Sequence, residues 1–118
     1  MVTEESQVHE NYKDRILKAK DIDTRVTGRS TGHPVRALRN EMTKKYLELE
    51  KQGAGFDELE KLTLGGLRKA VVEGEGQNGS VMAGQSAGMV KEKMSCRDLI
   101  AKLVRETDQL IGGLGLYE

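Results

Sequence analysis

The chain has few of the large side chains from which hydrophobic cores are usually built. It contains no Trp, one Phe (Phe56) and three Tyr among 118 residues, whereas Gly occurs 14 times. Aromatic side chains supply much of the apolar area of a core, and each Gly inside a helix costs about 1 kcal/mol relative to Ala. The length is that of one domain, but the composition indicates a domain that other polypeptide completes.

The chain also lacks an excess of charge of either sign. Its 19 Lys and Arg residues balance 19 Asp and Glu residues, which excludes the strongly basic surface of a typical nucleic-acid-binding protein. A single cysteine, Cys96, excludes an intramolecular disulfide and is compatible with a reducing cytoplasm. No apolar run approaches the roughly 20 residues of a membrane span. We therefore expect a soluble cytoplasmic protein that binds neither membrane nor nucleic acid.

Residue types that commonly carry out chemistry are sparse. The two histidines, His9 and His33, and the single Cys96 lack the spacing of metal ligands. No carboxylate is close enough in sequence to orient His33 as a general base, and we expect His9 to be a solvated surface residue. Cys96 falls at a predicted helix start, where a thiol pKa can fall, but a packing or surface role is favoured. No catalytic and no metal-binding residue is predicted.

Hydrophobic periodicity predicts a mainly α-helical chain. Ser6 is the expected cap of a first helix that ends near Lys20, and Thr24–Thr27 is the one strand-like segment. Because proline is favoured at the first helical position, a second helix is predicted from Pro34 to Gly53. The apolar face expected for that helix consists of Val35, Leu38, Met42, Tyr46 and Leu49.

Capping residues and glycines set the expected bounds of the later helices. Asp57 is the predicted cap of a short helix, and Gly65-Gly66 separates it from another that ends at Gly74. Ser95 and Asp98 have the spacing of a capping box and predict a last helix that stops at Gly112-Gly113.

The stretch from Gln77 to Val90, QNGSVMAGQSAGMV, carries no charge. An Asn-Gly pair followed by Ser80 predicts a helix from Ser80 to about Lys91. Small residues at helical spacing would leave one face of it almost without side chains; these are Ala83, Gly84, Ala87 and Gly88. Such a face fits close packing against another backbone. It also fits contact with a flat ligand, held by Ser80 and the amides of the first turn.

Basic residues cluster in two neighbouring places. The loop from Gly28 to Arg36 contains Arg29, Ser30, Thr31 and His33, which is either a polar solvated turn or a site for a phosphate or carboxylate. It lacks the Gly-Lys-Ser/Thr of a P-loop. Further basic residues would lie on one side of the predicted second helix; these are Arg36, Arg39, Lys44 and Lys45. That side is either a solvated face or a docking surface for an acidic protein.

Several linked motifs resemble one flavoprotein family. They are NYKDRILKAKDIDT, TGRSTGHPVRALRN, KAVVEG and NGSVMAGQSAG. In this order they resemble the C-terminal third of FMN-dependent enoyl-acyl-carrier-protein reductase II, a family closely related to nitronate monooxygenase (2-nitropropane dioxygenase). The resemblance extends from about Thr3 to Val104, and GHPVRALRN is more similar to the reductase.

The resemblance implies a C-terminal segment of an α/β (β/α)8 barrel that binds FMN. Electrons would pass from NADH or NADPH through the flavin to a trans-2-enoyl thioester on acyl carrier protein, as in fatty acid biosynthesis, or a nitronate would be oxidised. Residues 1–5 would end a barrel strand, residues 6–75 would form a substrate-side helical region, and residues 76–118 would form C-terminal barrel helices. The residues it places nearest FMN are Ser80, Met82, Gly84 and Gln85. Those it places in contact with substrate or partner are Arg29, His33, Arg36 and Arg39.

The resemblance also implies what this chain lacks. The catalytic histidine and the FMN-phosphate loops of the family lie in the first two thirds of the barrel, and His33 does not match that histidine. We therefore expect the isolated chain to bind FMN weakly or not at all and to be inactive. Its partners would be the remainder of its own barrel and acyl carrier protein, and an exposed barrel-facing surface would favour homo-oligomers. The alternative is a free-standing helical module that binds an acidic protein.

Overall fold

Helices dominate the architecture, as the periodicity predicts. The computed structural model describes residues 1–114. The elements, in chain order, are α1 (Glu10–Lys18), β1 (Thr24–Thr27), β2 (Val35–Leu38), α2 (Glu41–Lys51), α3 (Phe56–Thr63), α4 (Gly66–Val71) and α5 (Cys96–Gly113), with a short 3-10 helix at Gln85–Met89. Within the described residues no helix is long and apolar enough to cross a bilayer.

The chain forms two compact units. One consists of Met1–Ser6 together with the segment from Lys93 onward, and the other is Gln7–Glu92. We call the second the central unit. The domain limits at residues 5 and 75 refer to a complete barrel, so they stay a prediction.

In the first unit, the start of the chain holds the start of α5. Thr3 forms a parallel β-bridge with Met94, and the amide of Glu4 donates to the Met94 carbonyl at 3.1 Å. The Glu5 carboxylate accepts the Cys96 amide at 2.9 Å, and Ser95 Oγ accepts the Asp98 amide at 3.1 Å. These acceptors satisfy amides that a helix start leaves free, which confirms Ser95 as the cap of the last helix. Cys96 is exposed and free.

After α1, the central unit forms a β-hairpin whose second strand lies where a helix was expected. β1 is confirmed at Thr24–Thr27, but it pairs antiparallel with Val35–Leu38, in the register Thr24 to Leu38 and Thr27 to Val35. The prediction of a helix from Pro34 is therefore wrong. Gly28 and Gly32 have φ angles of 78° and 74°, which residues with a side chain rarely adopt, and they let the chain reverse between the strands.

Helix α2 begins seven residues later than predicted. Its cap is Asn40, whose side chain accepts the Thr43 amide at 2.9 Å, while Thr43 Oγ1 accepts the Asn40 amide at 2.9 Å. This reciprocal pair is a capping box. Gly53 follows the last turn with φ 79°, which confirms it as the C′ glycine. Met42 and Tyr46 are buried on this helix, and Leu49 is half-buried; Val35 and Leu38 belong to β2 instead.

Two other predicted caps are wrong. The cap of α1 is His9 and not Ser6, because Nδ1 of His9 accepts the Asn11 amide at 3.1 Å. The ring of His9 lies directly over Gly74, so this histidine is half-buried rather than a solvated surface residue. Helix α3 starts one residue before Asp57, after Gly55, and has no side-chain cap.

A small apolar core lies between α2 and α3. Met42, Tyr46 and Leu59 form its buried cluster, and the half-buried residues that pack on it are Leu49, Ala54 and Leu62. Lys13 is also buried in the central unit, and its ammonium group pairs with the exposed Glu10 carboxylate at 3.0 Å. The core fixes α2 and α3 relative to each other, and both helices contribute walls to the pocket described next.

Candidate functional site

Residues 80–83 are an extended segment and not a helix. The Leu38 amide donates to the Val81 carbonyl at 2.8 Å, and the Ala83 amide donates to the Arg36 carbonyl at 3.3 Å. Met82 forms an antiparallel bridge with Ala37, so this segment adds to the free edge of β2. The predicted helix from Ser80 to Lys91 is wrong; helical geometry in this stretch is limited to the 3-10 helix at Gln85–Met89.

Hydrogen bonds from residues that are distant in sequence hold the extended segment in place. The Tyr12 hydroxyl of α1 donates to the Met82 carbonyl at 2.6 Å, and the Ser80 amide donates to the Gly66 carbonyl at 2.8 Å. Asn40 Nδ2 donates to the carbonyls of Gly76 and Gly79 at 2.8 and 2.7 Å. Burial raises the pKa of the Tyr12 phenol, so this donor stays protonated at neutral pH.

Two of the residues predicted to lie nearest FMN, Ser80 and Met82, line one cavity, because side chains alternate between the two faces of an extended segment. Side chains two apart in a strand lie on the same face, and Ser80 and Met82 both line this cavity whereas Val81 is fully buried. The cavity has a volume of about 340 Å³. We call it the apolar pocket. Its other walls come from the hairpin, α2, α3 and α4; the residues that matter below are Val35, Ala37, Tyr46, Phe56, Leu59 and Leu67.

The lining of the apolar pocket also contains polar residues; they are Thr27, Thr31, His33, Glu60, Thr63 and Ser80. His33 stands edge-on to Phe56, with ring centroids 6.4 Å apart and an interplanar angle of 62°. Glu60 and Thr63 of α3 also line the pocket. Burial and the neighbouring Glu50 carboxylate raise the pKa of the Tyr46 phenol. The arrangement suits an apolar ligand that is oriented by a few polar contacts.

The structure gives no acid–base pair at this pocket. Within residues 1–114 no carboxylate forms an ion pair or a hydrogen bond with the His33 ring, so nothing orients it as a general base. No cluster of three His, Cys, Asp or Glu residues in that part of the chain could hold a metal ion. The described residues of the apolar pocket thus include no paired histidine and carboxylate.

The four residues predicted to contact substrate or partner are not brought together. His33 lines the apolar pocket, while Arg29 is an exposed residue of the hairpin turn. Arg36 Nη1 donates to Thr24 Oγ1 at 2.9 Å, and Arg39 lines a different cleft. Their contact roles stay a prediction.

The loop suggested for an anion already holds a carboxylate. Both the amide and the hydroxyl of Ser30 donate to Glu50 Oε1, at 3.1 and 2.7 Å, and Thr31 Oγ1 donates to the Gly28 carbonyl at 2.9 Å. No helix starts at Pro34, so no free first-turn amides face this loop. A polar turn tied to α2 is the interpretation that these contacts support.

The four basic residues expected on one side of the second helix do not share a helix. Lys44 and Lys45 lie on α2, but Arg36 belongs to β2 and Arg39 to the connection between them. The prediction that all four lie on one helix is wrong, because the chain is extended up to Asn40. The interpretation as a free-standing module that binds an acidic protein stays a prediction.

Among the four residues predicted nearest a cofactor, two line the pocket and two follow it. Ser80 and Met82 line the apolar pocket. Gly84 and Gln85 are exposed at the start of the 3-10 helix, and a side chain added at Gly84 would meet nothing within 4 Å. Gly88, in contrast, packs against the backbone of Lys20 and Asp21. The small residues thus combine close packing at Gly88 with open space at Gly84.

Known proteins give an independent view of this arrangement. Residues 1–106 match the family described as nitronate monooxygenase. This chain belongs to the nitronate monooxygenase family. The match contains the central unit and most of the described part of α5, so it includes every residue of the apolar pocket.

Relatives of the family are much longer than this chain. A probable nitronate monooxygenase of Staphylococcus saprophyticus is 29% identical over 111 residues, which are 94% of this chain and 31% of that protein. One of Bacillus subtilis is 26% identical over 106 residues, 90% of this chain and 30% of that protein. The chain therefore spans about a third of the length of the curated relatives that it matches.

A solved structure has the same fold as this segment. FabK from Thermotoga maritima superposes with a TM-score of 0.91 and 38% identity, covering 99% of this chain and 37% of that one. A variant of the same protein superposes with a TM-score of 0.82 and 35% identity, covering 99% of this chain and 34% of that one. This likeness supports membership of the nitronate monooxygenase family and its relation to FabK.

Proposed function

We propose that this chain is the C-terminal segment of an FMN-dependent oxidoreductase, which acts only with the remainder of its barrel. The observation that carries the proposal is the superposition of 99% of this chain on 37% of FabK. A segment that matches almost end to end, and leaves most of its relative unmatched, corresponds to part of a larger fold. We expect it to supply a substrate-side wall and C-terminal helices to that barrel.

The uncovered apolar face of α5 supports this proposal. None of the residues of α5 is buried. Four of its large apolar side chains are more than half exposed: Ile100, Leu103, Val104 and Leu110. A helix with an apolar stripe normally buries it against other elements. The barrel portion that the matched relatives carry in addition is the occupant we propose for this face.

The residues near the apolar pocket fit one wall of a flavin site. Met82 is 37% exposed, and the absence of any atom near a Gly84 Cβ lets a flat ring approach the backbone there. Ser80 and Gln85 would complete the set that we propose lies against the ring. FMN, when bound, would supply electron transfer between a reduced nicotinamide and the substrate. The phosphate of FMN would be held by the barrel portion outside this chain.

The apolar pocket supports an acyl substrate over a small nitronate. Its lining offers Val35, Ala37, Phe56 and Leu67 to an alkyl chain, and burying such a chain is favourable in proportion to its apolar area. We therefore propose reduction of trans-2-enoyl thioesters, presented by acyl carrier protein, as the activity of the complete protein. Oxidation of a nitronate is the alternative outcome of the assay below.

The test uses the protein translated from the reading frame that continues upstream through the Met1 codon. With NADH or NADPH, we expect that protein to reduce a trans-2-enoyl thioester faster than it oxidises an alkyl nitronate. Met82→Ala should lower kcat/KM, whereas Met89→Ala is the matched control, because Met89 is exposed and does not line the pocket. Preferred oxidation of the nitronate would overturn the substrate assignment. An upstream frame without a barrel sequence would overturn the segment assignment.

A further inference from the structure

Positive charge collects in a second cleft of the central unit, away from the residues of the apolar pocket. A cavity of about 420 Å³ is lined by Arg15 of α1, Arg25 of β1, Arg39 of the connection between β2 and α2, and Lys44 of α2. We call it the basic cleft. Among its described lining residues, Glu41 is the one carboxylate. The chain as a whole has no net charge, so this excess of cations is local.

The four cations of the basic cleft are not ion-paired in the described part of the chain. Within residues 1–114 none of them forms an ion pair. Cations that line one concave surface reinforce each other's potential, and a cleft concentrates the field further. The basic cleft should therefore attract anions from solution.

Two of the guanidinium groups are fixed before any ligand arrives. Arg15 Nη2 donates to the Arg39 carbonyl at 3.0 Å, and Arg25 Nη1 donates to the carbonyls of Ile22 and Thr24 at 2.8 Å each. Side chains held in this way lose little conformational freedom on binding, which favours affinity. Nε of Arg15 is buried and has no acceptor in the described chain, so the Arg15 side chain keeps an unused donor.

A neighbouring cavity extends the basic cleft. It has a volume of about 410 Å³, shares Arg15 and Arg39, and adds Lys18 and Asp23. Arg15 and Arg39 thus stand between two concave surfaces. A ligand with more than one anionic group could place one in each cavity and contact the shared arginines with both.

We propose that the basic cleft binds the phosphate groups of a small molecule. The planar guanidinium fork matches phosphate oxygens in a bidentate manner, and a concave site with cations from three elements suits a compact polyanion. Two sources carry this chemistry: the phosphates of a nicotinamide dinucleotide, and the phosphates of coenzyme A or a related 4′-phosphopantetheine thioester. The inference uses only residues of the central unit and does not depend on the flavin.

The first experiment is calorimetric titration of the chain with inorganic pyrophosphate at constant ionic strength. We expect saturable binding that weakens about tenfold in Lys44→Gln, the effect of losing one charge-assisted contact. Lys45→Gln is the matched control, since Lys45 is the next residue of α2, is equally exposed and does not line the basic cleft. Loss of charge alone would affect both variants equally.

A second variant and two comparisons complete the test. Arg39→Gln should also weaken pyrophosphate binding about tenfold, and circular dichroism should show that the exposed substitutions leave the fold unchanged. Tighter binding of NADPH than of NADH or coenzyme A would assign the nicotinamide dinucleotide, and tighter binding of coenzyme A would assign the coenzyme A or phosphopantetheine source. Absence of saturable pyrophosphate binding, or equal losses in Lys44→Gln and Lys45→Gln, would overturn the proposal. Neither result bears on flavin binding by the complete protein.

Discussion

Helices α2 and α5 both carry an apolar stripe, but they bury it to very different extents. Met42 and Tyr46 of α2 are about 5% exposed, because they pack with Leu59 of α3. The stripe of α5 stays open, and Leu103 is 55% exposed. The difference shows that an apolar stripe indicates that a helix face is to be covered, but not which polypeptide covers it.

Hydrogen bonds follow the same division between the central unit and α5. The central unit ties distant segments together through Tyr12 to Met82 and Asn40 to Gly76 and Gly79. At the start of α5, the amides of Cys96 and Asp98 donate to the side chains of Glu5 and Ser95, which lie at that end of the helix. We therefore expect the central unit to be stable in the isolated chain and α5 to depend on added polypeptide.

The comparison would break if core truncations in the two regions had equal effects. Leu59→Ala removes a side chain that is 1% exposed, and we expect it to lower the free energy of unfolding by about 2–5 kcal/mol. Leu103→Ala should change it by less than about 0.5 kcal/mol in the isolated chain, because that side chain is already in water. Urea denaturation of both variants is the measurement. Equal losses would show that α5 has a core of its own here.

Helix caps sharpen the comparison. Asn40→Ala removes a cap and two donors to carbonyls of distant residues, so we expect a loss of about 2–3 kcal/mol. Ser95→Ala removes one local acceptor and should cost about 1 kcal/mol or less. Urea denaturation followed by circular dichroism compares them. A larger loss for Ser95→Ala would contradict the view that the central unit carries the stability.

Replacing a glycine by alanine should have opposite effects on stability in the central unit and in α5. A Cβ on Gly88 would lie 2.6 Å from the Asp21 amide nitrogen, so Gly88→Ala should destabilise the central unit by about 1–3 kcal/mol. A Cβ on Gly112 of α5 meets nothing, and Gly112→Ala should stabilise that helix by up to about 1 kcal/mol. Thermal unfolding measures both. Stabilisation by Gly88→Ala would exclude the close contact with Asp21.

A small pH effect should come from the central unit. The Glu75 carboxylate accepts the amides of Gln77 and Asn78 at 2.8 and 3.3 Å, and these hydrogen bonds lower its pKa. A lowered pKa stabilises the fold above the ordinary carboxyl pKa, and this contribution disappears as pH falls through the folded value. Glu75→Gln should flatten the acid side of the stability profile, while Glu48→Gln serves as an exposed control. An unchanged slope in Glu75→Gln would show that these two hydrogen bonds do not stabilise the fold.

Sequence patterns correctly predicted those structural features that depend on only a few neighbouring residues. The strand at Thr24–Thr27, the cap at Ser95 and the stop at Gly53 depend on propensity and capping, and all three are confirmed. The second strand was missed because Pro34 and the apolar spacing after it favour a helix locally. Pairing with β1 across the turn, together with the capping box at Asn40, decides otherwise.

The candidate site depends on long-range contacts that spacing does not reveal. Small residues at helical intervals predicted a helix from Ser80, but Leu38 and Tyr12 hold the segment extended. That geometry brings Ser80 and Met82 to the same cavity as His33. Phe56 was missed as a pocket residue, although it is the single Phe of the chain and an exposed one. Its position on the rim follows from α3, which is placed by the Leu59 contacts.

Flavin content tests the central claim most directly. Two proteins are purified: the chain of 118 residues, and the protein extended upstream in its own reading frame. We predict that flavin elutes with the extended protein in gel filtration and not with the chain alone, since in our proposal the chain supplies only one wall of the flavin site. Flavin that stays bound to the chain alone, or an extended protein without flavin, would contradict the account.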